Sequence, residues 1–454
     1  MEFDESKVFA YIDEHRDEYL ELLRDYVRQP SLAGTHEGID DMVKIVVDNY
    51  EKRGLSVDVC KTPGNPVIIA EQAGVSDKVM GFYDHYDVQP VDPIDLWVDP
   101  PFSANVHDNR IWGRGVCDNK GGLVAHLCAV DAYQHVYGKL PCGVKFITEG
   151  EEEIGSPNLG WFAEHYRDRL DCDGYNWEGG NRANNQGPLD ICIGVKGLLY
   201  VEMICRGAKM DAHSCNAAIV ENPAWRLIWA LNSIKGPDGH INIDGFYDGI
   251  PEVSKEDVEA FAQDGFDEEA TKRYLGIDHF IDGATGDDLL KKLHYEPTFN
   301  ICGFYSGYID EGSKTVLPSY ARVKCDIRLV MGQDPDRIYE LLRKHLDDHG
   351  FGDIELVYDS GCPAFRSAPD SDFVKAAIAA SERVSGQKVT LNYMNAGTSP
   401  CHYFCLEKGT PAIMCGCMSD EANIHAPNEW VDMDDFVEEI KVNAAIMHEL
   451  SGNL

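Results

Sequence analysis

The stretch Gly81–Gly122, GFYDHYDVQPVDPIDLWVDPPFSANVHDNRIWGRGVCDNKGG, organises the 454-residue chain. The apolar run Val79–Phe82 leads into it and reads as a buried strand. Asp84, His85 and Asp87 follow at once, and the stretch closes on Gly113-Arg114-Gly115 and Asp118-Asn119-Lys120-Gly121. Side chains at a strand end are held by the rigid element behind them, a common placement for metal ligands. Residues two apart on an extended segment project to the same side, so Asp87 can reach His85 or share its cavity. A carboxylate beside a metal-bound imidazole commonly orients it. Asp118 lies in a glycine-rich loop, from which a carboxylate can approach two ions. His85 and Asp118 are therefore the first candidate ligands, to be completed by the rest of the chain.

Towards the N-terminus, Val8, Ile12, Tyr19, Leu23 and Tyr26 recur at helical spacing, and Pro30 follows, so residues 4–29 read as one amphipathic helix. A second helix is expected over 38–53, then strands over 56–60 and 66–70 around the turn Thr62-Pro63-Gly64-Asn65. Towards the C-terminus, a helix over 123–137 precedes a strand over 143–148 that delivers Glu149 to Glu153. A further helix and a short strand lead to Trp177-Glu178-Gly179-Gly180. This alternation argues for an α/β fold with a mixed, largely parallel sheet and helices on both faces. After Gly197 the composition shifts: strands are expected over 198–205, 321–330 and 354–358, helices over 222–234 and 334–348, with weaker patterning over 235–288. From Phe365 the pattern returns to helix (372–385), strand (411–415) and helix (433–450). We read a catalytic domain of residues 1–197 and 365–454, interrupted by an inserted α+β lid and dimerisation domain, 198–364.

Composition narrows the function. The length exceeds what one core usually supports, about 250–300 residues. An apolar fraction of 44% and a charged fraction of 26% are those of a soluble globular protein. The net charge of −38 argues against nucleic acid and against an anionic membrane surface, since both need basic patches. The N-terminal residues lack the basic start and apolar core of a secretory signal, and no run of about 18 apolar residues occurs. The 15 cysteines are scattered and odd in number, which suits reduced thiols in a cytoplasm. Cys401-His402…Cys405 and Cys415…Cys417 lack the CxxC spacing of a zinc cluster and read as buried apolar residues.

Glu151–Glu153 would suit a solvated acidic loop, but it follows an apolar strand, and adjacent carboxylates can divide metal binding and proton transfer. Glu178 follows a tryptophan and precedes two glycines, and His425 lies in the turn Asn423-Ile424-His425-Ala426-Pro427. His345-x-Asp347 repeats the His-x-Asp pattern inside a helix and reads as a solvated face. Histidine and carboxylate without cysteine is the donor set of zinc, manganese or cobalt hydrolases.

The motifs His85-Tyr-Asp87-Val-Gln-Pro90, Gly113-Arg-Gly-Val-Cys-Asp118-Asn-Lys-Gly121 and Gly150-Glu-Glu-Glu-Ile-Gly-Ser156 resemble those of the co-catalytic zinc metallopeptidase family. That family includes carnosinases and cytosolic dipeptidases, aminoacylase, carboxypeptidase G and the acetylornithine and succinyl-diaminopimelate deacylases. Ala212-His213-Ser214 resembles the family's lid histidine motif. Ser313-Lys-Thr315-Val-Leu-Pro318 and Cys325-Asp-Ile-Arg328-Leu-Val330 are most similar to the carnosinase and dipeptidase branch. The resemblance implies two divalent ions per subunit, zinc first, with manganese or cobalt as alternatives. It implies His85, Asp118 and Glu178 on one ion, and Asp118, Glu153 and His425 on the other, with Asp118 bridging. It further implies Glu152 as general base, Asp87 as the carboxylate supporting His85, and His213 and Arg328 as substrate contacts, with hydrogen bonds from Thr315 and Thr398. Two departures stand out: Asp84 occupies a position where glycine is common, and Asn395–Pro400 follows the family's substrate loop only loosely.

The expected activity is hydrolysis of a dipeptide or small peptide by a homodimer associating through the lid, with His213 reaching the partner's site. A deacylase acting on N-acyl amino acids shares every metal residue, and a non-catalytic binding protein on the same fold is the remaining alternative.

Overall fold

The computed structural model describes residues 3–182, 187–261, 266–416, 418–419 and 421–452. Strands β1 (Ser56–Cys60), β2 (Val67–Gln72), β3 (Val79–His85), β4 (Gly143–Glu149), β5 (Gly174–Trp177) and β6 (Asp190–Cys192) come first. β7 (Gly197–Arg206), β8 (Asn300–Ser306), β9 (Tyr320–Leu329) and β10 (Glu355–Cys362) follow, and β11 (Thr390–Asn392) and β12 (Ala412–Met414) come last.

The larger sheet has eight strands in the order β1-β2-β4-β3-β5-β12-β6-β11. Its centre, β4-β3-β5-β12, is parallel, as is the β6-β11 pair. β1 and β2 extend the sheet antiparallel on one side. Nearly every residue of β3, β4 and β5 is buried, as a parallel sheet covered on both faces requires. Alternation along β3 divides the cores. Met80 and Phe82 pack against helices α1 (Glu5–Glu14), α2 (Arg16–Arg28), α3 (Ile39–Lys52) and α4 (Lys120–Tyr137) on one face. Tyr83 turns to the other, stacking on Trp177 at 3.8 Å and joining Phe162 and Phe404.

The helix expected over 4–29 is two helices. His15 leaves helical geometry (φ −103°, ψ 17°), with its ring stacked on Tyr11 and its Nδ1 2.9 Å from the Tyr11 carbonyl oxygen, and α2 begins at Arg16.

A second sheet, β8-β9-β7-β10, is antiparallel throughout. Leu199, Val201 and Met203 of β7 and Val323, Cys325 and Ile327 of β9 face helices α5 (Pro223–Ile234) and α6 (Pro335–Asp348), forming a separate core with Leu227, Ala230, Leu342 and Leu346. β8 lies in a region where no strand was expected and forms one edge of this sheet. The weakly patterned segment 235–288 carries the helices Lys255–Phe261 and Glu268–Leu275. Helices α7 (Asp372–Ser385) and α8 (Met433–Leu450) return the chain to the first core. No helix among the described residues is long and apolar enough to cross a membrane.

Candidate metal centre

In an open α/β sheet the loops beyond the carboxyl ends of the parallel strands form the natural crevice. Three adjacent parallel strands deliver the cluster here: β3 ends on His85, β4 runs into Glu151–Glu153, and β5 runs into Glu178. Asp118 stands immediately ahead of α4, and His425 arrives on the turn before the strand Trp430–Asp432. That turn is tightly wound: Asn423, His425 and Asn428 have φ of 57°, 61° and 64°. Non-glycine residues in this left-handed region cost of order 1 kcal/mol or more each and concentrate at functional sites. After Glu178 the backbone turns through Gly180 (φ 96°), where an added Cβ would lie 2.0 Å from the Gly416 nitrogen. Only glycine admits that approach.

Asp118 stands between the two imidazoles. His85 Nε2 lies 3.0 Å from Asp118 Oδ1 and 3.2 Å from Glu178 Oε2. His425 Nε2 lies 3.0 Å from the other Asp118 oxygen, Oδ2, and 3.1 Å from Glu153 Oε2. Ligand atoms of Glu152, His85 and Glu178 fall within 4.8 Å of one another. Asp87 is fully buried beneath them. Its carbonyl and carboxylate oxygens lie 3.0 and 3.4 Å from His85 Nδ1. Its carboxylate also accepts the backbone N–H groups of Glu152 (3.3 Å) and Glu153 (3.1 Å), joining the ends of β3 and β4.

Electrostatics follow from crowding. Burial opposes a charged His85, yet Glu178, Asp118 and Asp87 push it well above its ordinary value. Hydrogen bonds to Asp118 and Glu153 push His425 up to about 10. Burial raises Glu178 strongly and pushes Glu152 up to about 7. Burial would raise Asp118 too, but His425 and His85 hold it below the usual carboxylate range.

The donor set fits divalent cations. Two donors held tetrahedrally at about 2.0–2.1 Å by one zinc stand roughly 3.3 Å apart, close to the 3.0–3.2 Å separations here. Glu178 Oε2 is buried, faces His85 and makes no hydrogen bond. Five carboxylates, of Asp87, Asp118, Glu152, Glu153 and Glu178, outnumber two imidazoles, an arrangement that buried charge tolerates only with cations.

The four expected substrate contacts form two pairs apart from this cluster. Arg328 Nη1 donates to Thr398 Oγ1 at 2.6 Å, and Thr398 Oγ1 donates to the Gly197 carbonyl at 3.3 Å. His213 is exposed, and its Nε2 lies 3.5 Å from Thr315 Oγ1 across the short ladder of Ala212–His213 with Val316–Leu317. Among the described residues, no hydrogen bond or ion pair joins either pair to the metal donors.

Glu429 and Gln89 were not singled out by the sequence. Glu429 is fully buried and accepts from the backbone N–H groups of Gly115 (2.9 Å), Cys117 (2.9 Å) and Asp118 (3.0 Å) and from Arg114 Nη1 (2.8 Å). It ties the Asp118 loop to the His425 turn four residues away; its one linear signal is a lone acid beside Trp430. Gln89 donates through its backbone and side chain to the Glu153 carboxylate. Asp84 takes Asn119 Nδ2 at 3.0 Å and lies 3.1 Å from His126 Nδ1, bracing the residue after Asp118. His345 is not on a solvated face: it is buried, 3.1 Å from Ser233 Oγ. Cys401, Cys405 and Cys415 are buried free thiols; Cys417 lies outside the described residues.

The chain is similar to known proteins over most of its length. The profile of Peptidase family M20/M25/M40 matches residues 81–449. Beta-Ala-His dipeptidase of Homo sapiens is 31% identical over 365 residues, spanning 75% of this chain and 71% of that protein. The Cys-Gly metallodipeptidase dug1 of Schizosaccharomyces pombe is 26% identical over 99% of both chains. The crystal structure of the M20 family metallo-carboxypeptidase Sso-CP2 from Sulfolobus solfataricus superposes with a TM-score of 0.89 and 36% identity, covering 96% of this chain and all of that one.

Proposed function

Given that the chain belongs to Peptidase family M20/M25/M40, we propose that it is a metal-dependent dipeptidase whose site holds two divalent ions, zinc first. The observation that carries the reading is Asp118, whose two carboxylate oxygens each face a different imidazole. His85, Asp118 and Glu178 would hold one ion, and Asp118, Glu153 and His425 the other. Bound divalent cations supply Lewis acidity, polarising the scissile carbonyl and lowering the pKa of the attacking water towards ~7. Glu152 takes the proton from that water and hands it to the amide nitrogen as the C–N bond breaks, leaving a carboxylate and a free amine. Asp87 fixes the His85 ring through Nδ1 and holds the Glu152–Glu153 backbone. Arg328, presented by Thr398, clamps the substrate carboxylate. His213, supported by Thr315, stabilises the oxyanion.

We divide the chain into a catalytic domain, 1–197 with 365–454, and a lid, 198–364; the separate cores support this division. We also propose a homodimer joined through the lid. Its surface carries exposed Trp225, Ile228 and Trp229 on α5 and Ile301 and Phe304 on edge strand β8, an apolar exposure that suits an interface. An exposed His213 is then free to serve the partner's site. Free thiols throughout the described cysteines suit a reducing compartment, and we place the enzyme in the cytoplasm.

The 36% identity to a metallo-carboxypeptidase favours a second reading, release of the C-terminal residue from longer peptides. No relative reported above favours deacylation. A panel of dipeptides, longer peptides and N-acyl amino acids, assayed with zinc, manganese and cobalt, tests these readings. The dipeptidase reading requires dipeptides to be the best substrates and a chelator to abolish turnover. Preference for N-acyl amino acids would overturn it.

A further inference from the structure

His85, Asp118 and Glu178, the residues assigned to one ion, come from distant parts of the sequence, yet each has a buried polar neighbour in one chain of contacts. Asp84 precedes His85, Asn119 follows Asp118, and Asn176 stands two residues before Glu178. Asn119 Nδ2 donates to Asp84 Oδ1 at 3.0 Å. His126 Nδ1 lies 3.1 Å from both Asp84 oxygens, and its Nε2 faces Asn176 Nδ2 at 3.3 Å. None of these four residues is more than 2% exposed. The strand register explains how they meet. Side chains alternate along a strand, so Asp84 lies on the Phe82 face of β3, opposite His85. Asn176 of β5 is the register partner of Phe82 and shares that face. His126, on the buried length of α4, stacks on Phe82 at 4.6 Å and so comes between Asp84 and Asn176. The far end is anchored too. Asn176 Oδ1 accepts the Cys415 N–H at 3.1 Å, and its Nδ2 donates to the Cys415 carbonyl (3.0 Å) and to Asn443 Oδ1 (2.8 Å).

A buried imidazole in a helix otherwise lined with Leu123, Val124, Leu127 and Val130 is costly unless its nitrogens find partners. Here the partners are the neighbours of the ligands. Glu153 and His425, assigned to the other ion, take no part: among the described residues, no side-chain hydrogen bond or ion pair joins them to these four. We propose that His126 is a positioning residue for one ion only. Through Asp84, Asn119 and Asn176 it sets His85, Asp118 and Glu178 against one another, and the ion they hold depends on it while the other does not. Asp118 serves both ions, but Glu429 holds its backbone N–H independently at 3.0 Å, so the second ion keeps its anchorage. The inference rests on the two-ion assignment above and not on the choice of substrate.

The test is stepwise release of zinc into a competing chelator from the zinc-loaded wild type, His126→Phe and Asp84→Asn. The ion left behind is located by anomalous scattering in crystals. Phenylalanine keeps a ring against Phe82 and removes both nitrogens; asparagine keeps the size of Asp84 and removes one acceptor. The wild type should hold two ions. In each variant one ion should bind about 10–100-fold more weakly, the range for a residue that orients ligands, and the other with wild-type affinity. The ion retained should lie between Asp118, Glu153 and His425. Should His126→Phe fail to fold, Asp84→Asn carries the comparison. Unchanged affinity for both ions, equal weakening of both, or a retained ion at His85 and Glu178 overturns the inference and leaves the peptidase reading standing. Selective loss of one ion from a protein whose wild type hydrolyses no peptide supports the inference and removes the peptidase reading. A wild type that binds no second ion overturns the two-ion assignment and this inference with it.

Discussion

Glu429 accepts three backbone N–H groups and one guanidinium at 2.8–3.0 Å, and in doing so it fixes where Asp118 stands relative to His425. Residues that orient ligands typically govern 10–100-fold of metal affinity. Glu429→Ala should therefore weaken metal binding by about that factor in a chelator competition, with Glu429→Gln in between; wild-type affinity in Glu429→Ala would refute the anchoring role. His402 poses a different residue-scale question. Burial pushes its imidazole down to about 4, and its Nδ1 is buried without a hydrogen-bond partner. The unfolded chain, with an ordinary histidine near 6.5, takes up the proton first. The stability gained by keeping His402 neutral is thus fully present above pH ~6.5 and lost as pH falls towards about 4, a change of about 3 kcal/mol. Denaturation of wild type and His402→Phe at pH 7.5 and pH 4 should show their stability difference shifting by that amount in favour of the variant. A constant difference would show that His402 does not drive the acid loss.

At the level of elements, the ends of β3, β4 and β5 place the site, and these were legible because each combines a buried apolar run with polar residues at its end. α8 was readable over its whole length, since Phe436, Val437, Ile440 and Ala444 repeat at helical spacing and Asp432 caps it. β8 was not: it is an edge strand with Ile301 and Phe304 both exposed, so no buried face stamps a pattern on its sequence. The division at His15 also escaped, because Tyr11 and His15 are four apart and suit a continuous helix equally well. β6 and β11 are three residues each and exist through pairing across the chain. In the site, the candidate donors lie in short motifs that resemble a known family's, whereas Glu429 binds residues more than 300 positions away and leaves no local trace. The exposed edge of β8 carries its own prediction. Ile301→Lys with Phe304→Lys should shift the protein from dimer to monomer by sedimentation without lowering its melting temperature appreciably. An unchanged dimer would place the interface elsewhere.

Across the whole molecule, the candidate metal donors and the residues proposed to read substrate lie apart. The candidate donors His85, Glu153 and Glu178 stand at the ends of β3, β4 and β5, while Arg328 lies on β9 of the other sheet and His213 on a separate two-stranded ladder. A lid that completes the site in trans makes a sharp demand. Hybrid dimers formed by mixing His213→Ala with Glu152→Gln subunits should regain activity, because one of the two sites then combines an intact base with an intact lid histidine. No recovery after verified subunit exchange would mean that His213 acts within its own chain.

We propose that Glu152 moves the proton while its neighbours hold two ions. Metal content and dipeptide turnover, measured together on purified Glu152→Gln, test it most directly. The account predicts two divalent ions per subunit, as in the wild type, and turnover lower by at least ~100-fold, the lower end of what a general base contributes. A metal-replete Glu152→Gln enzyme turning over at close to the wild-type rate would contradict it.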